Sequence, residues 1–539
     1  MSISSRPGRH LSIGSWRLTV PFVLAALVLT ACGGDPDSLE VDRTEVRDGG
    51  TLHLAVEAMP TTFNIGAAPV GDTATSVLEP TRGGAVVLAD DGTWSVDERY
   101  ATSVEVASAD PLAVTVTLNP EAVWSDGSTI DAADMQAYAT AQIAAAGQAS
   151  ADVDTWSVVA GVDPGADAWT YTVRFTRPTP DWPDLVYPGL PAEATPAEVY
   201  NGYADAAPPS NGPFVVAEID REAGLVRLER NPQWWGETPA LDAIEYRALD
   251  GQAQAEAFTD GDLDAIELAP AGADSVEDGV VSTAPGQEWS HLTLNAARGP
   301  LASPVVRQAV ALALDRDALV EATGADAALA GSFVTVPGQS GYTDTVGDLL
   351  TRDVEQARDL IASAGYTADG DGWTAPDGSA LALRLPVPEG NEAAASRAEA
   401  VAGDLADVGI EVTIEPRPVD TFFSDVVVPL DFDLVTFLWS TDPLDTAAAV
   451  ARVLPVDSPL NFTGLADPGV AQAADALLRS IEPKAFAAAT AAFDTAVLAT
   501  SVIIPLVVEP HVLAVGDDVV NLMAHRFATP DWTVVGFRA

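Results

Sequence analysis

Only one cysteine, Cys32, occurs among the 539 residues of this chain. A single cysteine cannot form an intrachain disulfide, and it cannot supply a multi-cysteine metal site. Cross-links of these two kinds are therefore excluded, and the fold must be stabilised by packing. Because 47% of its residues are hydrophobic, it has ample apolar material for a large buried core. Its length predicts more than one domain.

The segment before Cys32 has the layout of a secretory signal. Residues 1–31 contain three arginines and no acidic residue, and they include an apolar run at 18–29 that is short for a membrane span. The letters LTAC at 29–32 resemble the lipobox of bacterial lipoproteins. That resemblance implies a diacylglycerol on the Cys32 sulfur, removal of residues 1–31 and a lipid anchor outside the cytoplasmic membrane. An ordinary signal peptide with an incidental cysteine is the alternative.

Acidic residues dominate the charge. The chain has 79 Asp plus Glu against 26 Lys plus Arg, which gives a formal net charge of -53. A polyanion of this size repels nucleic acid, so nucleic acid is excluded as a partner. We interpret the acidity as a solvated surface rather than as a dedicated cation site.

Alternating strand and helix patterns predict α/β layers. Residues 32–49, the lipidated cysteine and the polar stretch behind it, predict a flexible tether, with ordered structure from about residue 50. Two helices are predicted, one starting at Ser303-Pro304 and one running from Asp353 to Gly365. Apolar alternation predicts strands at 52–56, 114–118, 381–385, 410–414 and 431–439.

The sequence contains no recognisable catalytic or metal-binding constellation. The five histidines are scattered without HExxH spacing, which disfavours a zinc hydrolase. The only lysine, Lys484, stands outside any Gly-Lys-Ser/Thr loop, so a P-loop ATPase is excluded. The letters DGDG at 369–372 predict a solvated turn, because Gly378 stands where a calcium loop requires glutamate. We therefore predict no enzymatic activity, no cofactor and no metal site.

Four segments, in order along the chain, resemble the family 5 extracellular solute-binding proteins, which are the oligopeptide and dipeptide receptors of ABC importers. The first is NPEAVWSDGS at 119–128, followed by DAAD at 131–134. The second comprises SNGPF at 210–214, ERNPQWWG at 229–236 and DGDLD at 260–264. The third is VRQA at 306–309 with LDRD at 314–317. The fourth is GIEV at 409–412 with DFDL at 431–434 and WSTD at 439–442.

This resemblance implies a two-lobed α/β clamp of the periplasmic-binding-protein type (type II, cluster C), with a ligand cleft between the lobes. Lobe 1, including an extra subdomain, is expected at 50–295, lobe 2 at 296–504 and a C-terminal return to lobe 1 at 505–539. The implied function is to bind peptides or similar small solutes and to deliver them to an ABC permease and its ATPase. A monomer held at the cell membrane by lipid is expected.

Trp439 and Asp442 are the ligand-binding residues that the resemblance implies. In peptide receptors of this family, an aspartate three residues beyond a strand-end tryptophan accepts the α-ammonium group of the ligand. A charge-assisted hydrogen bond of this kind contributes roughly 1.5 to 3 kcal/mol when water is excluded. Alternatively, Asp442 before Pro443 simply starts a turn.

Several other motif residues are interpreted as structural. The tryptophans are expected to be packing anchors, and the two arginines of the third segment to pair with neighbouring carboxylates. Residues 210–213 form either a hinge or a loop between strands. The tryptophans are Trp124, Trp234 and Trp235, and the arginines are Arg307 and Arg316.

A second function fits the same fold. Some actinobacterial lipoproteins of this fold are thought to bind a mannosylated phosphatidylinositol in cell-envelope assembly instead of serving import. The alanine-rich stretch after Asp442 departs from the usual peptide-receptor sequence and permits this alternative. An extracellular hydrolase is the other rival, but it lacks the nucleophile or metal constellation that it needs.

Overall fold

The structure is a computed structural model that describes residues 39–68, 73–146, 155–276 and 279–539. Cys32 and the expected signal segment 1–31 lie outside these ranges, so the lipidation site stays a prediction. Within the described ranges, no helix is long and apolar enough to cross a membrane.

Strands and helices alternate along the described chain. The strands are β1 (Val46–Arg47), β2 (Thr51–Val56), β3 (Val86–Leu88), β4 (Trp94–Val96), β5 (Ala101–Ala109), β6 (Leu112–Leu118), β7 (Val159–Pro164), β8 (Thr170–Phe175), β9 (Phe214–Asp220), β10 (Leu225–Arg230), β11 (Ala243–Ala248), β12 (Ala265–Leu268), β13 (Val280–Ala284), β14 (Glu288–Leu294), β15 (Ala328–Leu329), β16 (Thr367–Asp369), β17 (Gly372–Thr374), β18 (Ala382–Pro388), β19 (Glu411–Arg417), β20 (Leu434–Ser440), β21 (Ile503–Val508), β22 (His511–Val515), β23 (Val519–Val520) and β24 (Gly536–Arg538). The helices are α1 (Ala74–Leu78), α2 (Ala132–Ala146), α3 (Ala197–Tyr200), α4 (Gly251–Thr259), α5 (Pro304–Ala313), α6 (Arg316–Thr323), α7 (Val354–Ser363), α8 (Glu392–Asp407), α9 (Thr446–Ala451), α10 (Pro468–Leu477) and α11 (Pro483–Thr500).

Three sheets build the first lobe, in the strand orders β2-β11-β10-β9, β12-β22-β13 and β1-β24-β23. β2 pairs in parallel with β11, and Leu52 lies opposite Ile244 with both side chains buried. The C-terminal tail returns to this lobe, because Val515 and Val535 pack in the same hydrophobic cluster as Leu52. The first lobe is therefore assembled from both ends of the described chain.

An extra subdomain of the first lobe has its own hydrophobic cluster. Its antiparallel sheet has the order β5-β6-β8-β7, and α2 packs on β7. Trp124 is fully buried there, and its Nε1 donates a 3.0 Å hydrogen bond to Asp134. Trp234 and Trp235 are half-buried and pack against the same cluster. All three tryptophans are packing anchors, as predicted.

The second lobe contains the largest hydrophobic cluster, built on the sheet β15-β21-β14-β20. β14 pairs antiparallel with both β20 and β21, so β14 and β21 belong to this lobe. The chain therefore crosses between lobes before residue 288 and after residue 508, rather than at 295 and 504. The pair Pro285-Gly286 is a turn signal at the earlier crossing, whereas the boundary predicted at 295 falls just after the buried strand β14.

Both predicted helices are confirmed. α5 begins at Pro304 after Ser303, and α7 begins at Val354 after Asp353. The Asp353 carboxylate accepts the main-chain N–H of Gln356 at 2.8 Å, which satisfies one of the free donors at the helix start. Gly365 follows α7 with a φ of +95°, a conformation that favours glycine.

The predicted tether is wrong for residues 39–49. Leu39 is 1% exposed and packs in the first-lobe cluster. The main-chain N–H of Val41 donates to Asn521, and β1 pairs Val46 with Arg538. The partners of this segment lie at the other end of the chain, 480 residues away in the case of Val41, so no local pattern reveals the pairing.

The two arginines of the third motif also differ from expectation. Arg307 and Arg316 are buried and donate to main-chain carbonyls instead of pairing with carboxylates. Nε of Arg307 donates to the Thr500 carbonyl, and Nε of Arg316 donates to the Pro505 carbonyl, each at 2.8 Å. Both arginines therefore tie the helical layer to the segment around β21.

Candidate ligand-binding cleft

Asp442 lies in a tight turn between the end of β20 and the start of α9. Its Oδ1 accepts the main-chain N–H of Leu444 at 2.8 Å, while Asp445 caps α9 by accepting the N–H of Ala448 at 3.0 Å. Asp favours such turns because its short side chain reaches main-chain donors two or three residues ahead. Within the described residues, no hydrogen bond is made to Oδ2 of Asp442, which leaves that oxygen open to a ligand.

The surroundings of Asp442 are concave. The residue is exposed to solvent, yet the surrounding protein partly desolvates its carboxyl, and this burial raises the pKa. The charge of Asp184 in the first lobe raises the pKa further, whereas the N–H of Leu444 lowers it. A carboxyl that solvent reaches but that protein partly desolvates lies in a concave part of the surface. Among the described residues, no basic side chain lies within 4.0 Å of this carboxylate.

Asp184 stands on the opposite side, in the extra subdomain of the first lobe. It too is exposed, and burial raises the pKa of its carboxyl. The charge of Arg82 opposes this rise, whereas the charge of Asp445 adds to it. Asp184 lies three residues beyond Asp181, whose carboxylate contacts the start of α9, so Asp184 stands on the first-lobe side near Asp442 and Asp445.

Glu79 is a second acidic group on the first-lobe side. Burial raises the pKa of Glu79 to about 7, against the opposing effects of Trp532 and Arg82. Glu79 is half-buried, and Arg82 is exposed. We call the space between Arg82 and Asp184 on one side and Trp439 and Asp442 on the other the interlobe cleft.

The SNGPF motif fixes the segment that carries Arg82. The side-chain amide of Asn211 accepts the N–H of Gly83 and donates to the Gly83 carbonyl, each at 3.1 Å. A Cβ atom at Gly212 would lie 2.2 Å from the carbonyl carbon of Thr81, so only glycine fits this crossing. Residues 211 and 212 are therefore a packed loop beneath the cleft, which answers the open choice between loop and hinge.

Trp439 forms an aromatic wall next to Asp442. Its half-buried ring lies parallel to that of Phe462, with centroids 5.9 Å apart, and edge-on to Phe437 at 5.0 Å. The guanidinium carbon of Arg452 lies 4.6 Å from the Trp439 ring centroid. These contacts hold the ring in one orientation. The structure thus brings Trp439 and Asp442, the two residues implied by the resemblance, to the same end of β20.

The lobes touch beside the interlobe cleft. The fully buried carboxylate of Asp181 in the first lobe accepts the main-chain N–H groups of Thr446 at 2.8 Å and Ala447 at 3.1 Å, both in α9. Two further hydrogen bonds join the lobes: Nη1 of Arg177 to the Leu478 carbonyl at 2.8 Å, and the N–H of Ser340 to the Asp91 carbonyl at 2.7 Å. The described conformation is therefore one in which the two lobes meet.

The first-lobe residues Glu79, Arg82, Asp181 and Asp184 belong to none of the motifs picked out in the sequence. With 79 acidic residues, chance pairs of carboxylates are frequent, so no local spacing distinguishes these from the rest. Asp181 and Asp184 are singled out only by their placement beside α9.

In the ranges that the structure describes, no group of three or more His, Cys, Asp or Glu side chains could hold a metal ion. A surface depression of about 460 Å³ lies on the outer face of the extra subdomain, between α2 and β7. Its charged residue, Arg174, pairs with Asp163 at 2.6 Å. None of the residues that line the depression belongs to the interlobe cleft, so we give it no part in the site.

Comparison with known sequences gives a consistent picture. The sequence profile described as "Bacterial extracellular solute-binding proteins, family 5 Middle" matches residues 95–455. The oligopeptide-binding protein OppA of Mycobacterium tuberculosis (strain ATCC 25618 / H37Rv) is 30% identical over 570 aligned positions, covering 99% of this chain and 95% of that protein. The probable monoacyl phosphatidylinositol tetramannoside-binding protein LpqW of the same strain is 24% identical over 62% of this chain and 58% of its own length.

A solved structure with a similar fold is the periplasmic EDTA-binding protein EppA. It superposes with a TM-score of 0.83 at 23% sequence identity, and the match covers 96% of this chain and all of that one. At this identity the likeness shows the fold alone. It confirms the two-lobed α/β periplasmic-binding-protein fold predicted from the sequence.

Proposed function

The chain belongs to the bacterial extracellular solute-binding proteins of family 5, and we propose that it binds peptides in the interlobe cleft and delivers them to an ABC importer. One observation carries this proposal. The Asp442 carboxylate is exposed in a concave setting, keeps one oxygen open and has no basic partner within 4.0 Å among the described residues. The α-ammonium group of a peptide would supply the missing charge and hydrogen-bond donors.

The charge of the interlobe cleft supports a ligand with an ammonium group. Asp184 and Asp442 bring two coupled carboxyls to the cleft, and Arg82 lies on the Asp184 side. Partial exclusion of water strengthens the attraction between such carboxylates and a cationic ligand group. A free amino terminus therefore suits the part of the cleft around Asp442 and Asp184 better than an anionic group does.

Closure of the two lobes supplies the delivery signal. A ligand that contacts Asp442 in the second lobe and Asp184 in the first stabilises the state in which the lobes meet. The hydrogen bonds from Thr446 and Ala447 to Asp181 exist only when α9 and the first lobe are together. In this proposal the permease recognises the closed clamp, and the permease and its ATPase are separate proteins.

Similarity to an oligopeptide-binding protein, OppA, also supports peptides as the ligand class. The alternative, a mannosylated phosphatidylinositol, has weaker support. LpqW matches at lower identity and over less of the chain than OppA does.

We also propose where the protein is located and that it leaves its ligand chemically unchanged. We place the protein outside the cytoplasmic membrane as a monomer, anchored by lipid on Cys32, because LTAC ends a basic and then apolar leader. The peptide is bound and released without cleavage, and no cofactor takes part.

A thermal-shift screen tests the proposed ligand class. A ligand that binds only the folded state raises the melting temperature by mass action. Di- to hexapeptides are screened against the purified chain from residue 33, in parallel with a mannosylated inositol phosphate headgroup. A rise with peptides supports the proposal. A rise with the headgroup alone would replace it with the envelope-assembly alternative.

A further inference from the structure

Four side chains at one face of the second-lobe sheet have buried polar atoms without a hydrogen-bond partner among the described residues. Trp289 and Trp439 are cross-strand partners in β14 and β20, and His291 lies two positions beyond Trp289 on the same face. Arg452, just after α9, lies over both tryptophan rings. In the part of the chain that the structure describes, Nε1 of both tryptophans, Nε2 of His291 and Nε of Arg452 are buried without a partner. We call this group the polar chamber.

Ring contacts hold the polar chamber together. The His291 ring centroid lies 5.8 Å from that of Trp289 and 5.5 Å from that of Trp439. The guanidinium carbon of Arg452 lies 5.5 Å from the Trp289 centroid and 4.6 Å from the Trp439 centroid. The four side chains that carry the unpartnered atoms are therefore neighbours in one group. Leaving a buried polar group unsatisfied is costly, so an occupant that satisfies several at once is strongly favoured.

Arg452 brings a buried positive charge to the polar chamber. The residue is 7% exposed, and its Nη2 donates to the Ser440 carbonyl at 2.6 Å. Among the residues described, no carboxylate lies within 4.0 Å of its guanidinium. Burial lowers the pKa of Arg452 to about 10, with the charge of Asp445 opposing, so the side chain remains a cation at neutral pH. A buried cation of this kind is stabilised by an anion that also accepts its hydrogen bonds.

The free atoms of the polar chamber are mainly donors. The indole N–H groups of Trp289 and Trp439 and the Nε–H of Arg452 can only donate. Burial holds the pKa of His291 well below its usual value, so this ring is neutral. Its Nδ1 lies 3.0 Å from the hydroxyl of Thr293, and in the tautomer that accepts from this hydroxyl, Nε2 is a fourth donor. A carboxylate accepts several hydrogen bonds and carries the matching charge, whereas a water molecule leaves the charge uncompensated.

We propose that the polar chamber binds a carboxylate group of the ligand. This inference rests on the proposed function and makes its ligand class more specific. Trp439 contributes its indole N–H to the chamber, and Asp442 follows three residues later in the interlobe cleft. A ligand would thus carry an ammonium group for Asp442 and a carboxylate for Arg452 and the two indoles. Short zwitterionic peptides and peptides with an acidic side chain both meet this description.

Three synthetic peptides separate the two sources of the carboxylate. The probes are Ala-Ala-Ala, its C-terminal amide and the C-terminal amide of Ala-Glu-Ala, each titrated calorimetrically into the purified chain. If the terminal carboxylate fills the chamber, the free acid binds about tenfold or more tightly than its amide. If an acidic side chain fills it, Ala-Glu-Ala amide binds more tightly than Ala-Ala-Ala amide by a similar factor. Either pattern supports the inference.

Variants connect the preference to the polar chamber. Trp289→Phe and Trp439→Phe each remove one donor and keep an aromatic ring, so we expect a smaller preference for the carboxylate form. Arg452→Met removes the charge and should abolish the preference. If the Arg452→Met variant does not fold, the two tryptophan variants still test the inference. Trp169→Phe is the matched control, because Nε1 of Trp169 is equally buried and unpartnered but lies in the extra subdomain.

Two results overturn the inference. Equal affinity of the unmodified chain for all three peptides would do so, and so would a carboxylate preference that survives unchanged in Trp289→Phe and Trp439→Phe. Both results leave the proposed peptide-binding function standing. Failure of every peptide to bind would overturn the inference and the proposed function together.

Discussion

The Asp181 carboxylate of the first lobe accepts a 2.8 Å hydrogen bond from the main-chain N–H of Thr446 in the second lobe. Asp181 is fully buried, and burial raises the pKa of its carboxyl to about 7, with the charge of Asp445 adding to the rise and the donors of Thr446 and Ala447 opposing it. This contact joins the lobes only four residues beyond Asp442. Ligand capture and lobe contact are thus carried by one short segment.

Asp181→Ala should weaken lobe closure. The substitution removes the acceptor of two main-chain N–H groups at the start of α9, so the closed state loses stability and peptides should bind about three- to thirtyfold more weakly. Small-angle X-ray scattering with saturating peptide should show a larger radius of gyration than for the unmodified chain. Asp131→Ala is the control, because Asp131 accepts the N–H of Ala133 at 2.8 Å within one lobe. Normal closure of Asp181→Ala would disprove the role of this contact.

Asp442→Asn should discriminate between peptides by their amino terminus. The amide oxygen can still accept the N–H of Leu444, so the turn is kept while the charge is lost. Calorimetry should show free-amino peptides binding about 10- to 100-fold more weakly and N-acetylated peptides unchanged. Asp359→Asn, an exposed acid of α7, is the charge-matched control. Equal losses for both peptide forms would remove the role assigned to Asp442.

Asp494 should make the stability depend on pH. Its fully buried carboxylate accepts the N–H of Phe333 at 2.9 Å, and burial raises its pKa to about 7, with Phe333 and Ser332 opposing. Because the folded pKa lies above the unfolded value, the folded state binds more protons between about pH 4 and pH 7, and this contribution to stability falls as pH rises across that window.

Asp494→Asn should therefore increase the free energy of unfolding at pH 8 by about 1 kcal/mol or more, with a smaller gain at pH 5. Urea denaturation at both pH values measures this difference. Asp377→Asn is the control, since the pKa of that exposed carboxyl is lowered by the hydroxyl and N–H of Ser379. An identical gain at pH 5 and pH 8 would contradict a raised pKa at Asp494.

Much of the fold follows from local patterns in the sequence. The Asp353 cap, the Gly365 ending and the alternation of Val114, Val116 and Leu118 are encoded within a few residues, and the structure confirms the helix and the strand. The family and the clamp fold are confirmed as well. Trp439 and Asp442 come from a motif of four positions, and the structure places them at one end of β20; their contact with a ligand remains a prediction.

The parts that sequence patterns do not reveal depend on distant contacts. β1 is only two residues long, and its partner is β24 at the far end of the chain. Asp181 and Asp184 acquire their setting from α9, more than 260 residues later. The setting of Arg452 also depends on distant contacts, because the two tryptophans beneath it come from separate strands.

Cys32→Ser should release the protein from membranes or leave it unprocessed. Serine lacks the sulfur that forms the thioether with diacylglycerol, so neither lipidation nor the cleavage that follows it can proceed. Fractionation of cells labelled with a radioactive fatty acid measures both effects. Lipid label that persists unchanged in Cys32→Ser would refute the anchor.

Calorimetric titration of the purified chain from residue 33 with di- to hexapeptides, followed by mass spectrometry of the recovered peptide, tests most directly whether the clamp binds peptides without altering them. We expect saturable binding with one peptide per chain and recovery of the peptide at its original mass. Absence of binding across all peptide lengths, or recovery of shortened peptide, would contradict this function.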